Sequence, residues 1–256
     1  MYSKGDLMDF TNKTAIVTGG ANGIGKAVVE SIVKGGGRVA ITDINEQAAK
    51  AVQQELGENV YVYTMNLSNS AGVRECIASI IRDLKKVDIL INCGGIVSTL
   101  PFHEITDEEW EKVLRINLTG TFTTCSAVYD HMKANGAGSI VNIASVAGKI
   151  GGGLLGTAAY ATSKSGVIGL TKAIAREGGP FGIRCNAVCP SYTQTAMTQK
   201  ITDDPEYTRR VLSVIPLGRG AVPQEIANMI LFFASDLASF VTGEIGDVDG
   251  GITRDG

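Results

Sequence analysis

The amino-acid sequence predicts an α/β protein: a doubly wound, parallel, seven-stranded sheet with helices on both faces, in a single domain. Three observations carry this. Short β-branched runs alternate with longer segments of helical period along the chain, the order expected of βαβ units around a parallel sheet. The runs are apolar enough to be buried on both faces, as strands between two helical layers must be. The first run ends in a glycine-rich turn that leads straight into a helical segment.

The elements follow in order. A strand over residues 14–18 precedes a helix over 24–34, whose Ile24, Val28, Val29 and Ile32 recur at threes and fours. Residues 38–43 form the second strand, and Asn45 opens a helix over 46–56. The third strand, 60–66, leads to a helix over 71–85 with Val73, Ile77, Ile80 and Leu84 on one face. The fourth strand, 88–93, precedes a long helix over 107–133. Strands over 139–145, 183–190 and 245–248 are separated by helices over 159–177 and 223–235, the last opened by Pro223. Right-handed crossovers then place helices on both faces. No repeat, low-complexity segment or Pro/Ser linker divides residues 1–256, so one domain is expected. The stretch 191–217 is polar and lacks a long apolar period. It reads as a mobile substrate flap over a pocket or as an ordinary surface excursion.

Of the 256 residues, 44% are hydrophobic and 19% charged, enough apolar content for a sizeable core. With 23 basic against 26 acidic side chains, a net charge of −3 and no basic cluster, neither nucleic acid nor an anionic membrane is an expected partner. The first ten residues carry no signal-peptide run and no segment reaches the length of a membrane span, so a soluble, cytoplasmic protein is expected. The five cysteines are scattered without a C-x-x-C pair and read as reduced core thiols. His103 and His131 are the only histidines, and no metal centre is expected.

Two constellations carry chemistry. In the turn Thr18-Gly19-Gly20-Ala21-Asn22-Gly23-Ile24-Gly25, glycines allow positive φ and close backbone approach, and the helix start offers free N–H groups and a positive dipole end. Such a turn can cradle a pyrophosphate. Asp43, at the end of the second strand, can accept hydrogen bonds from both ribose hydroxyls of a dinucleotide and would repel a 2′-phosphate, which favours NAD over NADP; it could also cap the helix beginning near Asn45. Ser145, Tyr160 and Lys164 form the second group, the last two sharing a helical face. A phenol is a poor base at neutral pH, but an adjacent ammonium and a cationic nicotinamide would favour its ionised form.

On these residues the sequence resembles the short-chain dehydrogenases/reductases over nearly its whole length. Thr18-Gly19-x-x-x-Gly23-Ile24-Gly25 is similar to the family's cofactor loop, Asn92-Cys93-Gly94-Gly95 to its Asn-Asn-Ala-Gly turn, and Ser145 with Tyr160-x-x-x-Lys164 to its catalytic group; Asn117 falls at its fourth catalytic position. The resemblance implies a Rossmann-like fold with Tyr160 as general acid/base, Ser145 bonded to the reacting oxygen, Lys164 holding the nicotinamide ribose, and Asn117 anchoring a water in the proton path. Cofactor contacts are implied for Gly19, Asn22, Gly23, Ile24, Gly25, Asp43, Asn66, Leu67, Asn92, Gly94, Tyr160, Lys164, Pro190, Thr193 and Thr195. Asn66 stands where the family usually has Asp against the adenine amino group, and its amide oxygen is expected to accept that bond instead.

The substrate pocket is expected around Ser145, Tyr160, Ile96, Val97, Ser98, residues 149–155 including Leu154 and Leu155, and part of the flap. Ile150, Leu154 and Leu155 would suit a ring or acyl chain; Ser98, Lys149 and Gln194 would suit hydroxylated or anionic compounds. The leading expectation is therefore an NAD-dependent oxidoreductase acting on a small secondary alcohol or ketone, of the polyol, sugar or cyclic alcohol type. A 3-oxoacyl carrier-protein reductase, a hydroxysteroid dehydrogenase and a non-catalytic dinucleotide-binding regulator are the alternatives. Family resemblance further implies a homotetramer built through the long helices near 107–133 and 159–177.

Overall fold

The computed structural model describes residues 8–152 and 155–254. Seven strands, β1 (Thr14–Thr18), β2 (Arg38–Asp43), β3 (Val60–Thr64), β4 (Ile89–Asn92), β5 (Gly138–Ile143), β6 (Ile183–Pro190) and β7 (Ile245–Val248), form one sheet. Their order is β3-β2-β1-β4-β5-β6-β7 and every pairing is parallel, the doubly wound arrangement expected from sequence. The order in which strands are added reverses between β1 and β4, which opens a crevice at the carboxyl ends of these parallel strands.

The period-2 geometry of a strand splits each apolar run between two cores. From β1, Ala15 and Val17 enter a layer with Val28, Val29 and Ile32 of α1 (Gly23–Lys34), Ala49 and Val52 of α2 (Glu46–Leu56) and the apolar face of the helix at Pro223–Ala234. Ile16 faces the other way, against Val73, Ile77, Ile80 and Leu84 of α3 (Ser70–Leu84) and residues of the long helix. Fully burying a side chain such as Ile32 or Ile77 contributes roughly 1.5–3 kcal/mol. Asn45 caps α2 through its side chain, accepting from Ala48 N, so the capping role open to Asp43 falls to Asn45.

The predicted helix over 107–133 is α4 (Asp107–Leu114) and α5 (Gly120–Ala134) joined by one wider, π-helical turn, Arg115–Thr119. Such a turn holds one extra residue, and Asn117 sits in it, 1% exposed. Behind β4 and β5, Asn92 donates to Asn142 at 2.9 Å and accepts from Thr124 at 2.8 Å, and Asn142 donates to Thr171 at 2.9 Å. This buried network fastens α5 and the helix α7 (Ala158–Gly178) to the sheet with its polar groups satisfied.

Two expectations change. A one-turn helix, α6 (Ala147–Ile150), directly follows Ser145; four residues are too few for a periodic signal. The stretch 191–217 is structured: α8 (Gln199–Thr202) and α9 (Pro205–Leu212) bury Ile201 and Val211 with Tyr192 and Ile215 in a small core of their own. Asp204 caps α9, accepting from Glu206 N and Tyr207 N. These helices are too short for their apolar residues to repeat. The remaining helix, α10 (Pro223–Ala234), begins at the predicted Pro223. Among the described residues no helix is long and apolar enough to cross a membrane.

Candidate active site

At the end of β1 the backbone turns through Gly19 at φ +64° and Gly23 at φ +52°, conformations that L side chains rarely adopt. A Cβ on Gly25 would stand 2.1 Å from Gly19 O, so only glycine lets α1 start this close to the strand. Asn22, at the N-cap, is extended and makes no capping bond with its side chain. The first N–H groups of α1 thus lack a side-chain cap and face a cleft of about 370 Å³. The Thr18 hydroxyl accepts from Gly94 N at 3.0 Å, joining the glycine turns after β1 and β4.

This cleft brings together Gly19, Asn22, Gly23, Ile24, Gly25, Asp43, Asn66, Leu67, Gly94, Ile96, Ser145, Tyr160, Lys164, Pro190, Thr193 and Thr195. Asp43 is held by Asn45 N at 2.9 Å and Ala21 N at 3.2 Å, and each carboxylate oxygen keeps acceptor capacity. The start of the flap is pinned by Ala221 N donating to Tyr192 O and Gln194 N donating to Ala221 O. Thr195 then lies over Gly23, whose Cβ would be 3.2 Å from its methyl group. The cradle that added Cβ atoms would fill, the uncapped helix start and the carboxylate at the tip of β2 together fit a nicotinamide dinucleotide.

Other expected residues are placed differently. The side chain of Asn92 belongs to the network behind the sheet and does not line the cleft. The Asn66 amide oxygen accepts from both Ser68 N, at 2.9 Å, and Ser68 Oγ, at 2.8 Å. It is therefore occupied where it was expected to receive the adenine amino group. Ser98 is 2% exposed with its hydroxyl lacking a partner among the described residues, and it lines neither the cleft nor the recess beside it. Lys149 pairs with Asp247 at 2.8 Å and lines neither the cleft nor the recess. Leu154 lies outside the described residues. Asn117 clamps the β4 turn, accepting from Ile96 N and donating to Ile96 O, both at 2.8 Å, and donating to Ser163 at 3.1 Å.

Ser145, Tyr160 and Lys164 meet at the floor of the cleft. The Lys164 ammonium donates to Ile143 O at 2.7 Å and lies 5.7 Å from the Tyr160 ring centre. Burial pulls its pKa down to about 8. Burial likewise pushes the Tyr160 phenol above its usual value, and the opposing pull comes from the Ser145 hydroxyl. Gly156 lies under this ring: its Cβ would be 2.2 Å from Tyr160 Cδ1.

A smaller recess of about 70 Å³ opens beside Ser145 and Tyr160. Its apolar lining includes Val97, Leu155, Tyr192, Met197 and Ile201. The sequence points to Val97, Leu155 and part of the flap, without singling out Tyr192, Met197 or Ile201 within it; the packing of that stretch brings these three to the recess.

A glycine cradle at the switch point of a parallel sheet, with a Ser-Tyr-Lys group beside it, defines a nicotinamide-dependent oxidoreductase. A family model described as enoyl-(acyl carrier protein) reductase matches residues 19–253. The chain is 37% identical to a 3-oxoacyl-[acyl-carrier-protein] reductase, FabG, of Chlamydia pneumoniae, over 96% of this chain and 100% of that one. It is 39% identical to an acetoacetyl-CoA reductase of Rhizobium meliloti, over 94% of this chain and 98% of that one. The solved structure of gox2181 shares 38% identity at a TM-score of 0.93, covering 95% of this chain and 96% of that one. A solved structure from Beutenbergia cavernae with bound NADP shares 32% identity at a TM-score of 0.89, covering 95% and 98%. The chain belongs to the short-chain dehydrogenase/reductase family, and it is an oxidoreductase acting between alcohol and ketone.

Proposed function

We propose that the protein reduces the ketone of a 3-oxoacyl thioester with NADH, a reading that revises the polyol or sugar substrate expected from sequence. The observation that carries it is the apolar recess beside Ser145 and Tyr160. No charged side chain lines it among the described residues, so it suits an acyl chain. Its hydroxyls, on Ser145, Tyr160, Ser191, Tyr192 and Thr198, gather toward the cleft and the flap, while Val97, Leu155, Met197 and Ile201 supply the apolar surface; a sugar acid's carboxylate buried there would have no charged partner among the described residues, a cost of roughly 1–3 kcal/mol. The names of the bacterial relatives, 3-oxoacyl-[acyl-carrier-protein] and acetoacetyl-CoA reductases, point to the same class.

The cofactor, when bound, supplies the hydride. Gly19, Gly23 and the start of α1 would hold its pyrophosphate, Asp43 its adenosine ribose, and Lys164 its nicotinamide ribose. Ser145 would bond the substrate carbonyl oxygen and Tyr160 donate the proton that this oxygen takes up. The Asn117 side chain, committed to Ile96 and Ser163, fixes the β4 turn beside Lys164; a water in the proton path would then have to be held by another atom, such as a main-chain carbonyl. Lys164 is the sole cation among the described residues lining the cleft, so nothing there offsets repulsion between Asp43 and a 2′-phosphate.

The test is turnover of acetoacetyl-CoA with NADH and with NADPH, set against oxidation of polyols, sugar acids and hydroxysteroids with NAD, followed at the nicotinamide absorbance. NADH-linked reduction of the thioester is expected to lead. Faster polyol oxidation overturns the substrate assignment; preference for NADPH overturns the electrostatic one. Asp43→Ala should narrow the gap between the two cofactors.

A further inference from the structure

Ser145 works only while its hydroxyl stays beside the Tyr160 phenol, yet it sits in a loop and not on α7. Helix α6 follows it within two residues and has a single turn, too short to hold its own shape. Gly151 and Gly152 come next, at φ +84° and +106°, and bring no rigidity from that side.

Ala144 N and Val146 N, on either side of Ser145, donate to Val188 O and Pro190 O of β6 at 2.8 and 3.1 Å, and α6 itself is held toward α7 and toward β7. Toward α7, Ser165 Oγ donates to Gly148 O at 2.6 Å, and a Cβ on Gly148 would lie 2.8 Å from the main chain at Lys164. Toward β7, Lys149 Nζ meets Asp247 Oδ2 at 2.8 Å, the two side chains being 15% and 20% exposed. The hydroxyl of Thr253 lies 2.9 Å from the same Asp247 oxygen and 2.7 Å from Asp249 Oδ2, one proton shared between two carboxylates. Asp249 also accepts from Gly251 N and Thr253 N.

The same C-terminal segment supports the flap. Ser191 Oγ donates to Asp249 O at 3.0 Å, and Ile252 packs on the core formed by Tyr192, Ile201, Val211 and Ile215. We infer that Lys149 and Asp247 are positioning residues: their ion pair anchors α6 to the end of β7 and thereby holds Ser145 against Tyr160, on the same segment that carries the substrate flap. The inference rests on the roles given above to Ser145 and Tyr160. Stability alone does not account for the pair, because a part-buried ion pair and an apolar pair of similar volume are often nearly equal in stability. What the ion pair adds is direction and a fixed length.

The test compares Lys149→Met, the double variant Lys149→Met/Asp247→Leu, which removes the Asp247 carboxylate together with the ammonium, and the conservative Lys149→Arg. Reduction of acetoacetyl-CoA is expected to lose about tenfold in kcat in the first two, the scale of a small misplacement of a reacting group, with the Kd for NADH unchanged and recovery in Lys149→Arg. In the oxidation direction the acid limb of kcat moves to higher pH, because Ser145 lowers the Tyr160 pKa and its loosening removes that effect. A crystal structure of the double variant, expected to show Ser145 Oγ drawn away from the Tyr160 hydroxyl, reads the positioning directly and without any substrate. Should Lys149→Met fail to fold, the double variant decides. A folded double variant with Ser145 in place and kcat and pH profile unchanged overturns the inference. Absence of thioester turnover in the unmutated protein overturns the substrate assignment alone.

Discussion

The two walls of the cleft are built from different materials. The wall proposed for the cofactor is largely main chain: glycines at positive φ, the start of α1 and the tips of β1, β2 and β4. The wall proposed for the substrate, in the recess beside the cleft, is largely side chains, Leu155, Tyr192, Met197 and Ile201, held by the stretch 191–217 and by the loop before α7. Main-chain recognition demands particular residues at fixed spacing, whereas side-chain recognition demands only shape and volume. The first should be intolerant of a single methyl group and the second should trade one apolar residue for another.

Tyr160 stands where the walls meet, and removing its hydroxyl gives the largest effect. Tyr160→Phe should lower kcat by about 10²–10⁴, the usual contribution of a positioned acid or base, while the Kd for NADH, read by fluorescence titration, stays within about twofold. Equal loss of cofactor binding would mean that the phenol holds the cofactor and does not move a proton.

Gly25→Ala breaks the cofactor wall directly. The new Cβ would meet Gly19 O at 2.1 Å, and a backbone carbonyl cannot swing aside as a side chain can. Overpacking of this kind costs about 1–3 kcal/mol, so NADH binding should weaken by roughly 10- to 100-fold. Leu155→Ala on the other wall should leave NADH binding alone and raise KM for a long-chain 3-oxoacyl thioester by about tenfold. Similar effects of both substitutions on both ligands would erase the distinction between the walls.

This contrast also explains what could be read from the sequence. Gly19, Gly23, Gly25, Asp43 and the Tyr160-Lys164 pair were legible because each answers a local requirement: positive φ, close approach, a strand tip, one helical face. The sheet was legible for the same reason, with β1, β2, β6 and β7 at their predicted bounds. Asn92 misled because its turn looks like a cofactor turn while alternation along β4 sends its side chain to the other face, into the Asn142 network. Tyr192 and Ile201 were legible only as members of the 191–217 stretch: which of its residues face the recess depends on how α8 and α9 pack, and neither helix is long enough to show a period.

Lys164 tests the boundary between the walls through pH. Its pKa, ordinarily near 10.5, is pulled down to about 8 by burial. A depressed lysine pKa means that the unfolded chain binds more protons than the folded one between about 8 and 10.5, so this residue makes the fold more stable as pH rises through that window and less stable as pH falls through 8. Activity has the opposite sign, since the ammonium that would hold the ribose is lost above 8. In the free enzyme kcat/KM for NADH should fall about tenfold per pH unit beyond the inflection, while the urea midpoint rises. Lys164→Arg, charged throughout, should flatten the limb whatever its absolute rate. A limb that persists in the arginine variant would assign the titration elsewhere.

The smallest expected effect lies at the adenosine end, where a side chain, that of Asn66, would face the base. Both lone pairs of the Asn66 amide oxygen are engaged by Ser68, which leaves the amide N–H₂ as the free polar face. A base amino group opposite residue 66 would then meet a donor with a donor. Asn66→Asp keeps the turn through one carboxylate oxygen and turns the other, an acceptor, toward the base. NADH should bind about three- to tenfold more tightly, the worth of one hydrogen bond, with kcat unchanged. The analogue with hypoxanthine in place of adenine, which offers an acceptor there, should gain nothing from the substitution. An equal gain for both bases would show that the added charge acts at a distance and that residue 66 does not read the base at all.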